Sequence, residues 1–143
     1  MTETPCIGIC STIYGDEVCR GCFRHYQDVI AWNTFDSPKK QAILAQLESL
    51  STRVLSQKID ILNPVQLQAK CLERQVRIRL HWNPHTWAHA LMREGMDKIT
   101  TPEKYGFRIR PECAHLSIAK LVEIIDDEIF QAAERHHVSH RPL

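Results

Sequence analysis

The chain has 143 residues, enough for about one domain, and its 18 basic and 17 acidic side chains leave a formal net charge of +1. A balance so close to neutral speaks against a strongly basic nucleic-acid binder, and no apolar run approaches the roughly 18 residues of a membrane span. The charge is unevenly placed: residues 53–110 hold eleven basic and five acidic side chains, about +6, between two mildly acidic ends.

Met1-Thr2-Glu3-Thr4-Pro5 lacks a basic region ahead of an apolar stretch. No secretory signal is therefore read there, and a cytoplasmic protein with reduced thiols is expected. Four of the six cysteines then fall within seventeen residues, at Cys6, Cys10, Cys19 and Cys22, in the spacing C-x3-C-x8-C-x2-C. Two short pairs separated by a short loop can bring four sulfurs to one point, as a tetrahedral metal requires. Cys19-Arg20-Gly21-Cys22 reads as a chelating knuckle, with Gly21 leaving room for the tight turn. Gly8 eases the bend between Cys6 and Cys10, and Arg20 and Arg24 bring positive charge close to the thiolates. Zn2+ on four thiolates is the simplest occupant, and an iron–sulfur cluster uses the same ligands. Two disulfides or a redox-active C-x-x-C are weaker readings, the second because it leaves Cys6 and Cys10 unexplained.

Beyond Cys22 the pattern turns helical, with Phe23, Tyr26, Val29, Ile30 and Trp32 on one broad face. Ser37-Pro38 opens a second helix with a stripe of Ile43, Leu47, Leu50 and Val54. Asn63-Pro64, Asn83-Pro84 and Thr101-Pro102 repeat the start signal. Val76, Ile78, Leu80 and Trp82 alternate with Arg77, Arg79 and His81, which favours a half-buried strand, although a helical stripe from Val65 through Leu80 competes. Tyr105, Phe107 and Ile109 alternate with Gly106, Arg108 and Arg110 and read as a second strand. A last helix is expected over about residues 113–135, with a frayed tail from His136.

The fold class expected is therefore α+β and mostly helical. A four-cysteine knuckle module (residues 1–52) is followed by a helical region with two short strands (residues 53–143), the two packed as one compact unit. The run Pro5-Cys6-x-Gly8-x-Cys10, Val18-Cys19-Arg20-Gly21-Cys22-x-Arg24 and Trp32-Asn33 resembles the bacterial four-cysteine family filed as domain of unknown function 1289. The resemblance spans about residues 5–50, and the remainder is similar to longer proteobacterial members. It implies a metal centre, described for such members as iron–sulfur, and carries no established activity.

Other groupings are weaker. His81, His85 and His89 are spaced by four, but Pro84 confines a helical face to the last two, and Thr86-Trp87-Ala88 lacks the glutamate of a zinc protease. Cys71 reads as a buried small hydrophobe and Trp87 as core. Arg74, Arg77, Arg79, Arg108 and Arg110 could form a basic face for RNA or a protein partner, or a solvated face paired with Asp126, Asp127 and Glu128. No Ser-His-Asp order, glycine-rich phosphate loop or partnered carboxylate pair is found. A coordinatively closed four-thiolate site also leaves no position for a reactive water. The chain is thus read as a small metal-binding protein with a structural or docking role toward a macromolecule, protein more than RNA, with no small-molecule substrate. An iron–sulfur electron carrier or oxidoreductase accessory subunit is the alternative.

Overall fold

The computed structural model describes residues 18–19, 22–95 and 98–139, with side chains as far as His136. It is mostly helical with one two-stranded antiparallel sheet. The described residues fall into two units, one of residues 18–50 and 126–139, the other of residues 51–125.

In the first unit, a short hairpin around an isolated bridge between Val18 and His25 leads into helix α1 (Tyr26–Ala31) and a 3-10 turn, Trp32–Thr34. The broad apolar face expected here is only partly buried. Phe23 and Trp32 go inside, while Ile30 is exposed and no residue of α1 itself is buried. Phe23 is not helical: it sits before α1 in the left-handed region, at φ 63°. Helix α2 (Ser37–Leu55) is capped one residue earlier than its Ser-Pro signature suggests, by Asp36, whose Oδ1 accepts the Lys39 N–H at 3.0 Å. Its expected stripe is largely inside: Leu47, Leu50 and Val54 are buried with Leu44, and Ile43 is half-buried. Each buried leucine contributes about 1.5–3 kcal/mol relative to exposure.

The second unit is built around strands β1 (Ile59–Ile61) and β2 (Phe107–Ile109), paired antiparallel with Asp60 opposite Arg108. Helices α3 (Pro64–Glu73) and α4 (Pro84–Glu94) start where their Asn-Pro signatures place them. Asn63 accepts from the Gln66 N–H and Asn83 from the His85 N–H, which satisfies donors that the first helical turn leaves open. Thr101-Pro102 opens a 3-10 turn, Pro102–Tyr105, instead of an α-helix. Gly106 follows at φ 88° and brings its carbonyl to the N–H groups of Leu62 and Asn63, both at 2.9 Å. A Cβ there would lie 2.5 Å from the Asn63 carbonyl oxygen, so the turn before β2 accepts only glycine.

Residues 76–82 are neither strand nor helix. Helix α3 stops because Gln75 takes a left-handed φ of 59°. The Gln75 N–H then bonds the Leu72 carbonyl at 3.1 Å and the Val76 N–H bonds the Cys71 carbonyl at 2.8 Å. This is the double closure of a Schellman C-cap, made without the usual glycine. The strand that does pair with β2 is β1.

The last helix, α5, runs Ile118–Ser139 after a 3-10 turn, Pro111–Cys113. Ser117 caps it, its Oγ accepting the Lys120 N–H at 3.1 Å. The helix continues past the point where fraying is expected, and within the first unit the His136 ring lies 3.4 Å from Gln46 Nε2. No helix among the described residues is long and apolar enough to cross a membrane.

Candidate metal centre

Cys6, Cys10, Gly8, Arg20 and Gly21 lie outside the described residues; Cys19, Cys22 and Arg24 lie within them. Cys19 and Cys22 belong to one tight reversal of the chain. The Cys19 N–H donates to the Arg24 carbonyl at 2.8 Å, and the Phe23 N–H donates back to the Cys19 carbonyl at 2.7 Å. The left-handed Phe23 turns the chain so that the Arg24 carbonyl reaches the Cys19 N–H, at a backbone cost of roughly 1 kcal/mol for a residue other than glycine. Its side chain offsets this by being buried.

Both thiols are free of disulfides and almost wholly buried, with Cys19 1% and Cys22 6% exposed. Burial pushes the Cys22 thiol up from its ordinary range, hydrogen bonding from Arg24 pulls it down, and the neighbouring Cys19 adds a smaller upward push. Two buried thiols on one reversal of the chain are donors of the type that a thiolate metal site uses. Among the described residues, no group of three or more His, Cys, Asp or Glu side chains could hold a metal ion.

Arg24 is itself buried, at 4% exposure. Its Nε donates to Cys22 Sγ at 3.2 Å, and its guanidinium carbon lies 4.8 Å from the centre of the Trp32 ring. Lys40 Nζ lies 5.8 Å from the same ring. The surroundings of Cys22 are thus cationic and aromatic. Next to them is a cavity of about 520 Å³, whose wall includes Phe23, Arg24, Lys39, Ile43, Leu47 and His136.

Residues 4–51 match the family described as "Protein of unknown function (DUF1289)". The DUF1289 match takes in all four N-terminal cysteines, Arg24 and Trp32, and covers about a third of the chain. It bears out the family resemblance seen in the cysteine motif. No curated protein and no solved structure matches the chain.

Outside the DUF1289 segment, the five arginines singled out in the sequence have different partners. Arg108 Nη2 bonds Asp60 Oδ2 at 2.7 Å and Arg110 Nε bonds Asp60 Oδ1 at 3.0 Å. Their acid is Asp60, and it holds its carboxyl below the usual range through those two bonds. Arg74 bonds the Tyr105 hydroxyl and lies over its ring at 4.9 Å, Arg79 lies over Trp82 at 4.9 Å, and Arg77 is exposed. Sequence reasoning missed Asp60 because a lone acid in a three-residue strand has no pattern. The Arg24–Trp32 contact joins residues on either side of α1, eight apart in sequence, and no periodicity announces it.

The remaining candidates are core or surface groups. Cys71 is fully buried, donates to the Trp87 carbonyl at 3.8 Å, and has its thiol pushed up to about 11 by desolvation. Trp87 is buried and donates from Nε1 to the Arg79 carbonyl at 2.8 Å. His89 is buried, His85 half-buried and His81 exposed.

Proposed function

We propose that the DUF1289 segment is a four-cysteine metal-binding module, with Cys6, Cys10, Cys19 and Cys22 as ligands, and that it serves a structural and docking role for a macromolecular partner in a reducing compartment. The observation that carries this reading is the buried reversal holding Cys19 and Cys22, thiols separated by two residues, at the end of an N-terminal cysteine-rich stretch with few large apolar side chains. Such a segment needs a staple, and the binding free energy of the metal is then folding free energy. Zn2+ is the favoured occupant because a closed four-thiolate set suits it and the chain offers no recognised catalytic set. When bound, the ion supplies a fixed tetrahedral anchor for the thiolates. A protein partner is favoured over RNA because Arg108 and Arg110 are engaged by Asp60 and two further arginines lie over aromatic rings.

The test is elemental analysis with absorption spectroscopy on the full chain isolated without oxygen. One zinc per chain, no visible bands and loss of the metal in cysteine-to-serine variants are expected. Chelation should expose the N-terminal segment to protease before the 51–125 unit. Brown protein with visible absorption would replace zinc by an iron–sulfur cluster on the same ligands. Metal content indifferent to all four cysteine changes would overturn the reading.

A further inference from the structure

Arg24 carries a full positive charge into the interior of the first unit. Among the described residues its side chain bonds the Cys22 sulfur, 3.2 Å from Nε, and lies over the Trp32 ring, 4.8 Å from the guanidinium carbon, and Asp28 lines the same cavity. Lys40, 5.8 Å from the same ring, adds positive charge instead of cancelling it. A neutral thiol is a weak acceptor. The attraction of a cation to an aromatic face is smaller than the cost of taking that cation out of water. The arrangement is stable when the sulfur beside Arg24 is a coordinated thiolate, because a charge-assisted bond to an anion then offsets the desolvation.

We propose that Arg24 is the hydrogen-bonding counter-ion of a negatively charged metal–thiolate centre at Cys22, held on the sulfur by the face of Trp32. This rests on the metal reading above and adds the charge of the centre and a positioning role for two residues that are not ligands. The geometry is specific to arginine. A planar guanidinium can point Nε at the sulfur while its flat face stays on the indole, whereas an ammonium is a point charge and cannot do both at once. An N–H bond to a ligating sulfur draws electron density from it. It thereby raises the energy of the sulfur-to-metal charge-transfer transition and tunes the strength of the ligand.

The probe is Co2+, added to the full chain without oxygen, with Zn2+ affinity measured in parallel by chelator competition. In wild type a thiolate-to-Co2+ charge-transfer band is expected. Arg24→Met should weaken Zn2+ by about tenfold to a hundredfold and, at saturating Co2+, move the band to lower energy. Arg24→Lys keeps the charge and should recover part of the affinity without restoring the band. Trp32→Leu should move the band in the same direction as Arg24→Met, by less. A lowered affinity with an unmoved band in Arg24→Met would reduce Arg24 to a packing residue and sink the inference while leaving the metal reading intact. Arg24→Lys indistinguishable from wild type in both measurements would sink it too, and that variant decides the question if Arg24→Met does not fold. Absence of any thiolate band in wild type would remove the metal reading and this inference together.

Discussion

Asp60 and Arg108 stand directly opposite each other across the β1–β2 ladder, and Arg110, two residues on, reaches the other oxygen of the same carboxylate. One acid thus holds two cations on a sheet of only three residues per strand. Because all three side chains are partly exposed, the network is screened and its contribution is modest. Asp60→Asn should therefore lower the urea midpoint by less than Leu67→Ala, which empties a fully buried site and should cost about 2–5 kcal/mol. The sign with pH follows from the lowered carboxyl. The stabilisation is present above the ordinary value of 3.8 and is lost as pH falls through the lower folded value. The difference between wild type and Asp60→Asn should hold at neutral pH and shrink in acid. A difference constant down to about pH 2, well under the reference aspartate value, would show that the charge of Asp60 is not what matters.

Gly106→Ala places a methyl group 2.5 Å from the Asn63 carbonyl oxygen and 2.9 Å from the Leu67 N, on a backbone at φ 88°. Both obstacles are main-chain atoms, so no side chain can swing aside. The variant should lose about 2 kcal/mol by chemical denaturation. Phe107 and the Gly106 bonds to Leu62 and Asn63 should be the first to lose hydrogen-exchange protection. A loss under about 0.5 kcal/mol, the range of neutral surface changes, would mean that the turn relaxes.

How far the sequence could be read depended on whether a structural feature had a local cause. Asn63-Pro64 and Asn83-Pro84 announce their helices because a cap and a fixed φ act within four residues. The buried side of α2 was legible from a sustained helical stripe. Residues 76–82 misled because alternation is only half of a strand; the other half is a partner, and β2 had already taken Ile59–Ile61. The Gln75 cap was invisible because it uses a residue that seldom turns left-handed. The cysteine spacing and the family resemblance pointed to the reversal at Cys19 and Cys22, but the stacking of Arg24 on Trp32 needed coordinates.

Cys71 and Cys113 should differ sharply in reactivity. The first is fully buried with its thiol raised to about 11 and donating to a carbonyl, and the second is half-buried in a 3-10 turn. The thiolate is the nucleophile, so little of Cys71 is reactive at neutral pH, and reagent must wait for the unit to open. Alkylation followed by peptide mass analysis should label Cys113 early and Cys71 only near the global unfolding transition. Equal labelling rates in native buffer would contradict the burial of α3 against α4.

His85 gives the second unit a pH dependence of its own. The ring is half-buried, with Nδ1 2.7 Å from Asn83 Oδ1. Burial lowers its pKa from the ordinary 6.5, and Arg110 acts in the same direction, against the Ile59 backbone and the Asp60 carboxylate. Because the folded state binds this proton less readily than the unfolded chain, the contribution is complete above 6.5 and is lost as pH falls through the lowered folded value. His85→Gln removes the titrating group. Wild type should therefore lose stability relative to His85→Gln as the pH is taken from about 7.5 to about 5, a window spanning the reference histidine value. Paired urea titrations at the two pH values measure the change. If wild type instead gained on the variant in acid, the Ile59 carbonyl and Asp60 would outweigh burial, and the ring would take up a proton on folding.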